Sequence, residues 1–140
     1  MVRMQGFTLV ELIACLALLV TIAGAGAVRL PDVLASFRLS GAAQRLSAAL
    51  RQARGRALER GSPVDVQLDE ARGAWEVRDT HGASVGRETL PAGVSFVGLP
   101  ASRRVRFSAI GTTDNATLTL SAGATLRRIV VNQRGRVRVQ

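Results

Sequence analysis

Residues 1–29 read MVRMQGFTLVELIACLALLVTIAGAGAVR, and everything else in the chain follows from this stretch. After a short polar leader carrying Arg3, the run from Phe7 to Val28 holds no charge except Glu11. Such a run has the length of the roughly 20 apolar residues a helix needs to cross a bilayer. A secretory signal peptide is the rival reading, but there the charges precede the apolar region and a small-x-small cleavage site follows it. Here an acid stands inside the apolar run, where insertion scales penalise it by roughly 2.5–3.5 kcal/mol. Something must compensate for Glu11.

The stretch from Leu30 to Gln140 is long enough for one modest globular domain and too short for two. Cys15 is the only cysteine and sits in the apolar run, so no disulfide framework and no cysteine-based metal site can form within one chain. His81 is the only histidine, which removes Ser-His-Asp, Cys-His and multi-histidine metal constellations. Neither a metal nor a cofactor is expected, and an enzyme is poorly supported. The formal charge is +9, and every one of the 19 cations is arginine. From Ala101 onward the chain carries Arg103, Arg104, Arg106, Arg127, Arg128, Arg134, Arg136 and Arg138 against a single acid, Asp114, so the basic character is C-terminal.

Small residues Gly24-Ala25-Gly26-Ala27 permit close helix approach within the apolar run. No strand precedes them, so they do not read as a phosphate-binding loop. Pro31 suits the first turn of a second helical segment and Asp32 favours a helix start. From Asp32 to Arg60 apolar residues recur at Val33, Phe37, Leu39, Ala43, Leu46, Leu50, Ala53, Ala57 and Leu58. This spacing predicts an amphipathic helix over 32–60, with Arg38, Arg45, Arg51 and Arg54 on a solvated face. Gly61-Ser62-Pro63 reads as its stop. Beyond it the period becomes two. Val64–Leu68 and Trp75–Val77 form a hairpin, and short strands fit Ser84–Leu90, Val94–Val97, Arg104–Phe107, Thr117–Leu120, Leu126–Val131 and Arg136–Val139. The region 64–139 is therefore β-rich and mainly antiparallel. His81 falls in a turn, and the sequon at Asn115 marks a surface turn.

Glycine followed by Phe-Thr-Leu-x-Glu at the mouth of an apolar helix resembles the class III signal of type IV pilins and type II secretion pseudopilins. The resemblance extends to the helix and Arg-Gly-Ser-Pro-Val-x-Val of Phe37 to Val66, and to the ending Ile129-Val130-Val131-Asn132-x-x-Gly135-Arg136-Val137-Arg138. Together these are similar to the family of H-type minor pseudopilins (GspH) and FimT-type minor pilins. The resemblance implies an α+β, type IV pilin-like fold, with a long N-terminal helix, half in the membrane and half packed on a mainly antiparallel sheet. It implies a prepilin leader 1–6, cut after Gly6 by a prepilin peptidase, with Phe7 then N-methylated. Residues 7–29 would anchor the chain in the inner membrane as a single pass, with a periplasmic head at 30–140. Flanking charge alone does not orient the span, since Arg29 and Arg38 balance Arg3. In this family Glu11 would pair with the N-terminal amine of a neighbouring subunit. Other pilins or pseudopilins would be the partners, in a subunit at or near the tip of a type II secretion pseudopilus or type IV pilus that supports protein secretion.

A second function class is nucleic-acid binding. If Arg136 to Val139 is a strand, period-two alternation puts Arg134, Arg136 and Arg138 on one side and Val137 and Val139 on the other. Guanidinium groups match phosphate geometry, so such an edge suits sequence-independent binding of double-stranded DNA. Arg103, Arg104 and Arg106, or Arg127 and Arg128, would extend it if the fold brings their strands alongside. FimT-type minor pilins implicated in DNA uptake carry a similar Gly-Arg-x-Arg ending. The alternative use of the same edge is a charged strand that resists aggregation or meets acidic partner subunits.

Overall fold

The computed structural model describes residues 8–27 and 30–140. The expected leader 1–6, Phe7, Val28 and Arg29 therefore lie outside the described residues. Two helices, α1 (Leu9–Ala27) and α2 (Leu30–Arg60), precede eight strands: β1 (Val64–Asp69), β2 (Ala74–Arg78), β3 (Ser84–Thr89), β4 (Ser95–Gly98), β5 (Arg104–Phe107), β6 (Ala116–Ala122), β7 (Thr125–Val131) and β8 (Val137–Val139). The chain divides into two compact units, Met1–Leu34 and Ala35–Gln140, with the boundary inside α2.

In the first unit, α1 has no polar stripe. Leu9, Val10, Leu12, Ile13, Leu16, Leu18, Leu19, Val20 and Ile22 are all exposed, each by more than half. Thr21 satisfies its own hydroxyl, donating to the carbonyl of Ala17 at 2.6 Å, as a polar side chain in an apolar helix must. Among the described residues no helix is long and apolar enough to cross a membrane. The 19 residues of α1 rise ~28 Å at 1.5 Å each, just short of a hydrocarbon core of about 30 Å.

The second unit is built on one face of α2. Leu39, Ala42, Ala43, Leu46, Leu50, Ala53 and Ala57 are all fully buried and recur every three or four residues. Three residues of the expected apolar pattern do not join them: Val33, Phe37 and Leu58 are exposed, Phe37 by 69%. Phe37 precedes Leu39 by two positions, about 200° around a helix, so it cannot share the buried face. The helix stops as expected. Gly61 takes φ 58°, and the Ser62 N–H reaches back to the Ala57 carbonyl at 3.3 Å, the six-to-one bond of a glycine-capped end.

All strand pairs are antiparallel, and they form two four-stranded sheets rather than one, in the orders β3-β2-β1-β5 and β4-β6-β7-β8. Inward residues alternate as period two requires: Val64, Val66 and Leu68 on β1, Val105 and Phe107 on β5, Leu118 and Leu120 on β6, and Ile129 and Val131 on β7 are buried. These residues and the α2 stripe belong to one apolar cluster, together with Trp75, which is 1% exposed. Ser47, the buried polar residue of that stripe, donates to the Gln44 carbonyl at 2.8 Å.

Two members of the same sequence pattern should therefore behave differently. Leu46→Ala empties a fully buried site and is expected to cost about 2–5 kcal/mol, whereas Phe37→Ala should stay within roughly 0.5 kcal/mol. Urea unfolding followed by the emission of Trp75, the single tryptophan, measures both.

Candidate functional site

Two places carry the candidate residues: the start of α1 and the C-terminal strands. Gly6 and Phe7 lie outside the described residues. Glu11 is described, exposed, and third in α1. The Thr8 hydroxyl accepts the Glu11 N–H at 3.3 Å, and the Thr8 carbonyl accepts the Leu12 N–H at 3.1 Å. Thr8 is thus the N-cap, and Thr8-x-x-Glu11 has the spacing of a capping box, which the sequence reading passed over. A carboxylate there also faces the positive end of the helix dipole. The cap bond uses the Glu11 backbone N–H, so the local compensation of its carboxylate is that of the helix dipole.

The arginines divide between the sheets. Arg103, Arg104 and Arg106 belong to the first sheet, where charge is largely matched. Arg106 grips Asp65 through two bonds, Nε to Oδ1 at 2.7 Å and one Nη to Oδ2 at 2.8 Å. Arg103, in a turn with φ 48°, lies 3.6 Å from Glu70. Arg78 pairs with Glu76 at 2.8 Å, and Arg72 with Asp69 at 3.3 Å. A hydrogen bond from Ser84, then the Arg78 guanidinium, holds the Glu76 carboxyl below its ordinary range. The backbone N–H of Arg72 does the same for Asp69. Arg104 is exposed on this face without an ion pair among the described residues.

The second sheet differs. In the β7–β8 ladder Val131 faces Val137 and Val130 faces Arg138, and Arg128 is bonded in both directions to Gln140 at 2.9 and 2.7 Å. Val131 and Val137 are buried, so Arg128, Val130 and Arg138 share the opposite, outer face. Arg136 precedes β8 by one residue and lies two from Arg138, its N–H held by the Asn132 side chain at 2.8 Å. The three arginines therefore occupy neighbouring backbone positions on that face, at the diagonal and along-chain spacings of about 7 Å. Among the described residues none of Arg128, Arg134, Arg136 and Arg138 has an ion pair, and no acid follows Asp114 in the chain.

Two of the expected alignments do not hold. Arg134 is not on the strand with Arg136 and Arg138: it sits in a turn closed by the Gly135 N–H on the Asn132 carbonyl at 2.8 Å, and Gly135, at φ 70°, ends the alternation. Arg127 and Arg128 point to opposite faces, since Arg127 is paired with the buried Leu120 and is itself partly buried. Nor is the basic surface of α2 purely solvated. Arg54 Nε donates to the Gly111 carbonyl at 3.1 Å, and Arg51 reaches the Val137 carbonyl at 3.4 Å. These bonds fasten the base of the arginine strand to the helix.

This architecture, a helix closed over two antiparallel sheets, is similar to two solved structures. It matches the type IV minor pilin FimU of Pseudomonas aeruginosa with TM-score 0.62 at 19% identity, over 73% of this chain and 87% of that one. It matches the minor pseudopilin EpsH of the Type 2 Secretion System of Vibrio cholerae with TM-score 0.61 at 17% identity, over 74% of this chain and 96% of that one. The fold is thus type IV pilin-like and α+β. A family model described as Type II transport protein GspH matches residues 42–135, and the chain belongs to that family. No curated protein matches it by sequence.

Gly135 tests the geometry of the site. A Cβ there would overlap the Gly111 carbonyl oxygen and lie 2.7 Å from Arg54 Nε, at a positive φ. Gly135→Ala is therefore expected to destabilise the fold by ~1–3 kcal/mol, against little change for Arg136→Ala, as read from thermal unfolding of both variants.

Proposed function

We propose that the chain is a minor pilin or pseudopilin subunit, processed after Gly6, held in the inner membrane by residues 7–29 with its head in the periplasm, and assembled at or near the tip of a type II secretion pseudopilus or type IV pilus. Its role is to pack and align, not to catalyse. The carrying observation is α1: its large apolar side chains from Leu9 to Ile22 point all round the helix and are each more than half exposed. Such a surface needs lipid before assembly and neighbouring helices after it. Membership of the GspH family and the likeness to FimU and EpsH support the same reading. The partners are other pilins, the prepilin peptidase and the membrane.

Glu11 then does two things: it stands in a cap, and it offers a charge to the free amine of a neighbour. Desolvation offsets much of that pair's Coulombic gain, so alignment is the expected benefit. The two roles separate by substitution, because glutamine serves a capping box as well as glutamate does. Glu11→Gln and Glu11→Ala should both be cleaved normally and both be missing from the sheared filament fraction. Normal incorporation of Glu11→Gln would reject the charge pair and leave the cap alone.

A second reading, DNA binding in uptake, is favoured by the acid-free outer face of Arg128, Arg136 and Arg138. The contacts are to phosphate, since the chain has one tryptophan, four phenylalanines and no tyrosine to stack on bases. Full-length chain in detergent should shift duplex DNA in gels, with the affinity falling steeply with salt, at a logarithmic slope of about −0.9 per phosphate contacted. Arg136→Ala/Arg138→Ala should flatten that slope by ~2, while Arg106→Ala, whose arginine is committed to Asp65, should not. Absence of a shift at low salt removes this reading.

A further inference from the structure

Where α2 ends, the turn that follows β5 carries a second surface. Ser108 to Thr112 close into a turn: the Ser108 N–H donates to the Thr112 carbonyl and the Gly111 N–H to the Ser108 carbonyl, each at 2.8 Å. The Thr112 N–H donates to Ser108 Oγ at 3.2 Å, and the two hydroxyls lie 2.7 Å apart. From one side Arg54 holds the Gly111 carbonyl, and from the other the Thr113 N–H donates to the Gln133 carbonyl at 3.1 Å. The turn is bonded within itself and to two neighbours.

Its tip is Ile110, 75% exposed, and Leu58 of α2, 50% exposed, packs on the same turn at Gly111. Leu58 lies against the turn itself: a Cβ on Gly111, the residue after Ile110, would come 3.0 Å from Leu58 Cδ2. A loose loop can fold a stray isoleucine down onto the protein, but this turn holds the side chain out in water. Large apolar side chains on rigid supports are what binding anchors require, because little conformational entropy is lost when they dock. The surroundings are basic. Arg51 and Arg54 flank the patch on α2, Arg134 sits on the turn packed against Gly111, and Glu59 is the only acid from Arg54 to Arg60.

We propose that Ile110 and Leu58 form an anchor for a partner protein whose own surface is an apolar hollow rimmed by Asp and Glu. Charge complementarity selects that occupant: the arginines repel a second copy of the same patch, and opposite charge at the rim steers association and fixes register. The proposal is independent of the pilin reading, since it concerns only the second unit.

The test places a photoreactive p-benzoylphenylalanine at Ile110 of the full chain, expressed in its own host, with Thr117 on the outer face of the second sheet as the reference position. The expected result is one protein adduct whose cross-linked peptide carries acids flanking apolar residues. Its yield should fall at least tenfold in Leu58→Glu and in Arg134→Glu, both with unaltered Trp75 emission as evidence of folding. Four results would overturn the anchor: no adduct above the Thr117 level, an adduct to lipid or to another copy of this chain, a partner peptide without acids, or a yield indifferent to Arg134→Glu.

Discussion

The buried stripe of α2 is the surface on which both sheets close. Each sheet has four strands and one apolar face, and neither face can be hidden without the helix. The stripe's composition makes this possible, because Ala42, Ala43, Ala53 and Ala57 let the backbone of α2 come close while Leu39, Leu46 and Leu50 fill the spaces between inward side chains. Its flank does further work. Arg51 and Arg54 extend from the same helix to carbonyls at Val137 and Gly111, so the element that organises the core also fixes the loops at one end of the second sheet.

The two sheets share a core and differ in their outer chemistry. On the first, most arginines answer a carboxylate, as Arg106 does Asp65, and Arg104 stands without one among the described residues. On the second, cations stand on β7 and β8 without acids nearby. Exposed ion pairs contribute little to stability, so the arrangement is better understood as a partition of surfaces: one neutralised, one kept available for anions. β8 is moreover an edge strand, and flanking arginines protect such an edge from pairing with stray strands.

Most of the element pattern was legible in the chain because it is written in local periods. The shift from helical spacing to alternation after Pro63, and glycines such as Gly61 that need a positive φ, marked the elements to within a residue or two. What local reading could not supply was partnership. β1 pairs with β5 and β4 with β6, and nothing in a period of two says which distant strand completes a ladder; hence two sheets appear where one was expected. Phe37 and Arg134 are different cases, set by local geometry: Phe37 is apolar in type but turned away by helical phase, and Arg134 is removed from its neighbours by one glycine in a turn. The capping role of Thr8 was in plain view in Thr-x-x-Glu and was overlooked because Glu11 invited a longer-range explanation.

Gly135 gives the ending of the chain a divided character. The glycine is wedged against Gly111 and Arg54, and any side chain would collide there, while Arg136 and Arg138 are exposed and have no ion pair among the described residues. One residue of the Gly-Arg-x-Arg ending therefore answers to folding and the other two to whatever lies outside. A lineage that keeps the wedge can redraw its outward charges at almost no cost in stability, so a single scaffold can be retuned from one clientele to another by changes confined to two codons.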